Sequence, residues 1–240
     1  MFRKRAYWQL LLEFGEQEFT VEQAGRILHS RTPTPLLLHR LCSDGFLERV
    51  SRGRFRALNP FIVALREMGF DWRDKVKQKA YLPMLDFVVA RLVSGLLGRL
   101  CSLIVFGSIA SGRAKPESDV DLLVVSEGLP EKYSDRLRLF NSLVEGVEEV
   151  RLRLWRSEGI YPLLDPILLL PEEALISHPF YIDMWEEHII VYDRDRFMEK
   201  KLEQVKAKLM ELGARKVIAP DGSWFWLLKP SVHRGEVVSL

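Results

Sequence analysis

The stretch VFGSIASGRAKPESDVDLLVV, residues 105–125, limits what this chain can fold into more than any other. It joins the end of one continuous apolar run, LIVF (103–106), to a second, VDLLVV (120–125). Short runs of this kind, with no polar alternation, are expected of strands buried on both faces. Asp119 and Asp121 stand at the mouth of the second run, one residue apart. Residues two apart on a strand face the same side, so the two carboxylates point together and Val120 points away. Like charges at that spacing repel each other and resist burial. A divalent cation relieves both problems, and an all-oxygen ligand set suits Mg²⁺, which keeps several waters and shares its shell with phosphate oxygens.

The first apolar run ends in Gly107-Ser108. Glycine allows a tight turn and a close backbone approach. Ser108 and the IAS that follows read as the start of a short helix, whose free N–H groups attract phosphate. A phosphate-binding turn beside a metal-binding pair is equipment for nucleoside triphosphate chemistry. Arg113 and Lys115 lie in the same insert, within reach of a triphosphate or simply solvated.

Gly-Ser, ten residues, then Asp-x-Asp resembles the signature of the DNA polymerase β-like nucleotidyltransferase superfamily, and within it the small prokaryotic minimal nucleotidyltransferases. The resemblance covers residues 80–195 and, more loosely, the tail. It implies an α+β fold: a mixed sheet flanked by helices, with strands near 102–106, 120–125 and 164–169 adjacent, 188–192 near the edge, and the helices on one side. It assigns Gly107 and Ser108 to the nucleotide, and Asp119 and Asp121 to two Mg²⁺ ions. A third carboxylate is expected on a neighbouring strand; Asp165, which interrupts LLDPILLL, is the choice for catalysis and metal binding, a turn residue before Pro166 being the alternative. The implied reaction is transfer of a nucleoside monophosphate from an NTP, ATP first, to a protein side chain, a small molecule or an RNA end. A helical ribonuclease of a toxin–antitoxin pair is one implied partner. The competing reading is a DNA-binding regulator or antitoxin whose nucleotidyltransferase-like domain senses nucleotide without turning it over.

The remaining sequence divides into four segments: 1–58, 59–80 (linking), 81–195 (nucleotidyltransferase) and 196–240 (a helix and an aromatic tail). In 1–58, three short helices precede a hairpin around Ser51-Arg52-Gly53, an order that resembles a winged helix-turn-helix domain. Thr20 is expected to cap the second helix with Gln23 in the capping-box position, and Thr34 to cap the third ahead of Pro35. Residues 1–60 hold ten Lys/Arg against six Asp/Glu, with Arg31, His39 and Arg40 around the third helix and Arg49, Arg52, Arg54 and Arg56 on the hairpin. That pattern suits DNA, or a protein partner with the arginines kept for solubility. Residues 131–157 favour helix, although VRLRLW alternates like a strand. In the tail, Trp224, Phe225 and Trp226 suit strand pairing better than base stacking.

Overall net charge of +2 does not by itself call for nucleic acid. Cys42 and Cys101 are expected as reduced thiols and no Cys/His spacing suggests zinc; His178, His188 and His233 lack metal-site spacing. No apolar run approaches the roughly 20 residues that span a bilayer. The N-terminal MFRKRAYWQLLLEFGEQEF reads as an amphipathic helix rather than a signal peptide, so a cytoplasmic protein is expected.

Overall fold

A computed structural model of the chain describes residues 2–219 and 224–231; His233 lies outside them. The chain forms two compact units, Met1–Phe70 and Asp71–Leu240.

The first unit runs α1 (Phe2–Phe14), β1 (Glu18–Thr20), α2 (Val21–Ile27), α3 (Thr34–Ser43), β2 (Leu47–Ser51), β3 (Arg54–Ala57) and α4 (Pro60–Glu67). Its three strands pair antiparallel in the order β1-β3-β2. Buried Tyr7, Phe19, Leu38, Leu41 and Phe55 fill the centre, and the Tyr7 hydroxyl donates to the Leu58 carbonyl at 2.8 Å. The capping box at Thr20 forms as read: Thr20 Oγ1 accepts from Gln23 N–H and Gln23 Oε1 from Thr20 N–H. The start of α3 differs from expectation. Pro33 occupies the cap position and Thr34 is already helical, because Pro33, with no side-chain donor or acceptor, sets an extended entry that leaves Thr34 free to join the first turn.

The second unit begins with α5 (Trp72–Lys75) and a 3₁₀ turn, Lys79–Tyr81, before α6 (Leu82–Gly95), β4 (Leu100–Phe106), α7 (Gly107–Ser111) and β5 (Val120–Ser126). It continues through α8 (Tyr133–Leu143), α9 (Val147–Glu158), β6 (Leu164–Leu169), α10 (Pro171–Ala174), α11 (Tyr181–Met184), β7 (His188–Asp193), α12 (Phe197–Leu212), β8 (Arg215–Ile218) and β9 (Trp224–Leu227). Residues 131–157 are therefore helical, split in two at Gly146, whose φ of +89° suits glycine.

The four-stranded sheet has the order β6-β5-β4-β7; β5 and β6 are parallel and the other pairs antiparallel. The sheet is mixed and flanked by helices, with β7 at an edge. The expectation of helices on one side alone is corrected by burial. Leu122 and Val124 are as buried as Leu123 and Val125, so both faces are covered. On one face Ile104, Leu123 and Val125 cluster with Tyr181, Met184, Met198, Leu202 and Val205. Asp193 fixes the entry to α12 by accepting from the N–H groups of Met198 and Glu199, both at 3.0 Å. Cys42 and Cys101 are free thiols. Among the described residues no helix is long and apolar enough to cross a membrane.

The β6 edge is closed by side chains. Leu163 turns its carbonyl to the Val120 N–H on β5, so the carbonyls of Pro166 and Leu168, an odd number of residues on, face outward. Tyr133 donates its hydroxyl to Pro166 O at 3.0 Å. Arg136, 3% exposed, donates Nη1 to Leu168 O at 3.0 Å and Nε to Pro130 O at 2.6 Å. Its guanidinium also forks onto Glu173 at 2.5 and 2.9 Å, and Glu173 in turn accepts from Leu170 N–H. Arg136→Ala strands a carboxylate and bares the edge. The expected loss is about 3 kcal/mol, read as a fall in denaturation midpoint with increased light scattering. A loss below about 1 kcal/mol would mean that water replaces the guanidinium.

Candidate active site

Strand register assembles the site. Asp121 on β5 stands opposite Asp165 on β6 and opposite Phe106 on β4, and Phe106 stands opposite His188 on β7. Directly opposed residues share a face, so Asp165, Asp121, Phe106 and His188 form one row. Asp119 lies just ahead of β5, exposed, as is Asp165; Asp121 is half-buried. The structure thus brings together all three carboxylates expected from the sequence.

Asp121 carries the electrostatic tension. Its carboxyl is pushed up to about 6, first by burial and then by the charges of Asp165 and Asp119, against the opposing effect of a hydrogen bond from the Ser108 N–H. That last contact was not foreseen. The Ser108 amide, expected to serve phosphate, donates here to Asp121. Gly107 explains how the two come so close. Its φ is +68°, and a methyl group on it would collide with Asp121 Oδ2 and lie 2.8 Å from Cγ. Only a residue without a side chain leaves room for this carboxylate.

The insert that follows is clamped by residues the sequence did not single out. Lys77 Nζ donates to Ser111 O at 3.0 Å. Gln78 pairs reciprocally with Ala114, donating to its carbonyl at 2.8 Å and accepting from its N–H at 2.9 Å. The Tyr81 hydroxyl donates to Lys115 O at 2.7 Å, and Ser118 Oγ accepts from Lys115 N–H at 2.8 Å. Together these fix the path into Asp119. Arg113 is held by Glu187 through both guanidinium nitrogens, whereas the Lys115 side chain is exposed. In the string KVKQKAY nothing distinguishes a clamp from a solvated linker, because its partners are backbone atoms more than 30 residues away.

Among the described residues no group of three or more His, Cys, Asp or Glu is placed to hold a metal ion by itself. The donors that do converge are carboxylate oxygens. They fit an ion that takes one or two protein ligands and draws the rest of its shell from water and phosphate.

Two sequence matches make the protein a nucleotidyltransferase. The chain is a member of the nucleotidyltransferase domain family, whose model matches residues 93–213. A protein of Methanocaldococcus jannaschii provisionally named a protein adenylyltransferase is 35% identical over 109 residues, which span 45% of this chain and 68% of that one. Among solved structures, a toxin–antitoxin crystallised with AMP-PNP overlaps 52% of this chain and 90% of its own at 13% identity and a TM-score of 0.32. The toxin–antitoxin MntA–HepT overlaps 55% and 92% at 12% identity and a TM-score of 0.30. These structural overlaps are loose, and the family membership stands on the sequence matches.

Proposed function

We propose that the protein transfers a nucleoside monophosphate from an NTP, with ATP as the first choice, to a hydroxyl on a protein acceptor, and that the reaction depends on Mg²⁺. The observation that carries this reading is the packing of Asp121 against the bare Cα of Gly107, with Asp119 and Asp165 beside it. Two acids beside one half-buried carboxylate raise the free energy of the ligand-free protein, and a cation relieves it. The relative's name supports a protein acceptor.

Asp119 and Asp121 would hold the metal, with Asp165 completing the donor set. When bound, the ion supplies charge neutralisation for the entering and leaving oxygens. Above pH about 6, Asp121 is ionised and ready to bind. Asp165, exposed on the edge strand, takes the proton from the acceptor hydroxyl. The acceptor oxygen forms its bond to the α-phosphorus as the bond to the β-phosphate oxygen breaks, and pyrophosphate leaves. The reciprocal Gln78–Ala114 pair keeps the path to Asp119 from sagging as the triphosphate arrives. The test is pyrophosphate release and labelling of acceptor protein from ATP, with Mg²⁺ and with EDTA. Turnover that persists in EDTA would remove the metal from the reading, and turnover without acceptor labelling would remove the protein acceptor.

For the first unit we propose a winged helix-turn-helix that contacts DNA. The order α1-β1-α2-α3-β2-β3 with the sheet order β1-β3-β2 supports it. Arg54 and Arg56 pair with Glu18 and Glu48, while Arg31, Arg40, Arg49 and Arg52 are exposed. Four phosphate contacts predict that affinity for duplex DNA falls on the order of 100-fold between 50 and 200 mM salt. Binding that ignores salt, or none at 50 mM, would leave a protein-contact role.

A further inference from the structure

The insert between α7 and β5 involves three cationic side chains, and the fold puts two of them to structural use. Lys77 Nζ donates to Ser111 O, and the Arg113 guanidinium is forked onto Glu187. Lys115 is treated differently: its backbone is braced and its side chain is left exposed. Its N–H donates to Ser118 Oγ at 2.8 Å. Its carbonyl accepts from the Tyr81 hydroxyl at 2.7 Å and from the Ser118 N–H at 2.9 Å. On one flank Gln78 holds Ala114 at both N–H and carbonyl. On the other, the ring of Pro116 fixes its own φ and confines Lys115 to extended backbone. The Pro116 carbonyl in turn accepts from the Tyr161 N–H at 3.3 Å.

Ordering the backbone of one residue costs roughly 1–2 kcal/mol of conformational entropy. Connecting segments on a surface are ordinarily mobile, so this much bracing around a bare ammonium calls for an explanation. Pre-organisation supplies one, because a group placed before its ligand arrives loses less freedom on binding. The location fits a phosphate. Lys115 and Ser118 close a turn with Pro116 in its second position, and such turns bring their ends within about 7 Å. Asp119 follows directly. At the start of the insert, the Arg113 N–H donates to Ser108 O at 2.9 Å, so the segment leaves from the Gly-Ser turn and returns to the acids. Glu117, the acid within the insert, is exposed, and its charge acts on the Tyr81 hydroxyl.

A lysine ammonium is a compact charge with three donors on a flexible stem, suited to phosphate oxygens. In the transfer reaction the α-phosphorus has to lie among the carboxylates, so a cation one turn ahead of Asp119 meets the phosphates beyond it. Resting on the nucleotidyl-transfer reading above, we propose that Lys115 grips the β- and γ-phosphates of the triphosphate donor. Arg113, the other cation of the insert, is a strap to the segment entering β7 and takes no part in binding.

Calorimetric titration of the full chain with inorganic tripolyphosphate, ATP and AMP in Mg²⁺ tests the assignment. Lys115→Gln removes only an exposed charge and is expected to melt with the parent. Tripolyphosphate and ATP should bind it at least about tenfold more weakly, the worth of one charge-assisted hydrogen bond, with AMP unchanged. Arg113→Gln is expected to keep tripolyphosphate binding. Gln78→Ala loosens the brace: it should weaken tripolyphosphate in the parent but not in the Lys115→Gln background, because it acts through the placement of that side chain. Equal losses in both backgrounds would remove the role given to the brace. Tripolyphosphate binding by Lys115→Gln equal to the parent's would overturn the proposal. So would AMP weakened to the same degree, or a larger loss in Arg113→Gln. A parent protein that binds no tripolyphosphate would remove the transfer reading and the proposal with it, which tells the two failures apart.

Discussion

Asp121→Asn is expected to melt a few degrees above the parent protein in metal-free buffer at pH 8, and to transfer no nucleotide. The Asp121 carboxyl sits at about 6 in the fold against about 3.9 in an unfolded chain. Because the folded value is the higher one, the charged form is disfavoured by folding. The penalty is complete above pH 6 and disappears as pH falls toward 3.9. A shift of this size corresponds to at most about 3 kcal/mol. The carboxylate is only half-buried, and solvent screening reduces this to about 1 kcal/mol, or about 3 °C for a chain of this length. An uncharged amide removes the penalty and with it the means to hold the cation proposed above. Thermal melts in EDTA between pH 4 and 8 should show the two proteins converging at the acid end and reaching their full separation above pH 6. A gap that does not change with pH, or a variant that still turns over, would falsify the account of this residue.

Gly107→Ala is expected to lower kcat by at least about 100-fold, the scale on which a displacement of about 1 Å in a catalytic group is felt. Two effects combine. An alanine at φ +68° is strained by about 1–2 kcal/mol, and its methyl drives Asp121 away from its partners. Gly159→Ala separates them: φ there is +71°, and nothing lies within 4 Å of the new methyl. Both variants should lose similar stability, but only Gly107→Ala should lose activity and require more Mg²⁺ for half-saturation. Equal kinetics in the two would leave the collision without consequence.

The core of the site was legible because its signal is local. The runs at 103–106 and 120–125 announced β4 and β5, and spacing of two placed Asp119 with Asp121. Asp165 was reached through a family resemblance, and the register opposite Asp121 now gives it a physical position. The Thr20 capping box is likewise a four-residue pattern. What stayed hidden depends on contacts between distant segments. Arg136 reads as one arginine among many until α8 folds over β6. Gln78 acts through backbone atoms of Ala114. Coverage of the second sheet face escaped notice because α12, legible as a helix, gave no sign of which face it packs on, and α10 and α11, four residues each, are too short for helical periodicity to declare itself.

The guarded rim of β6 bears on how the proposed protein acceptor would be chosen. Many proteins capture a target by annealing an unfolded stretch of it onto a bare strand, reading main chain before side chains. Next to Asp165 that option is shut, since Tyr133 and Arg136 already occupy the outward oxygens and Pro166 has no hydrogen to offer. A protein acceptor of the kind proposed above would have to be met as a shaped object and recognised by the contour around a protruding hydroxyl, so selection would work on conformation rather than on a linear motif.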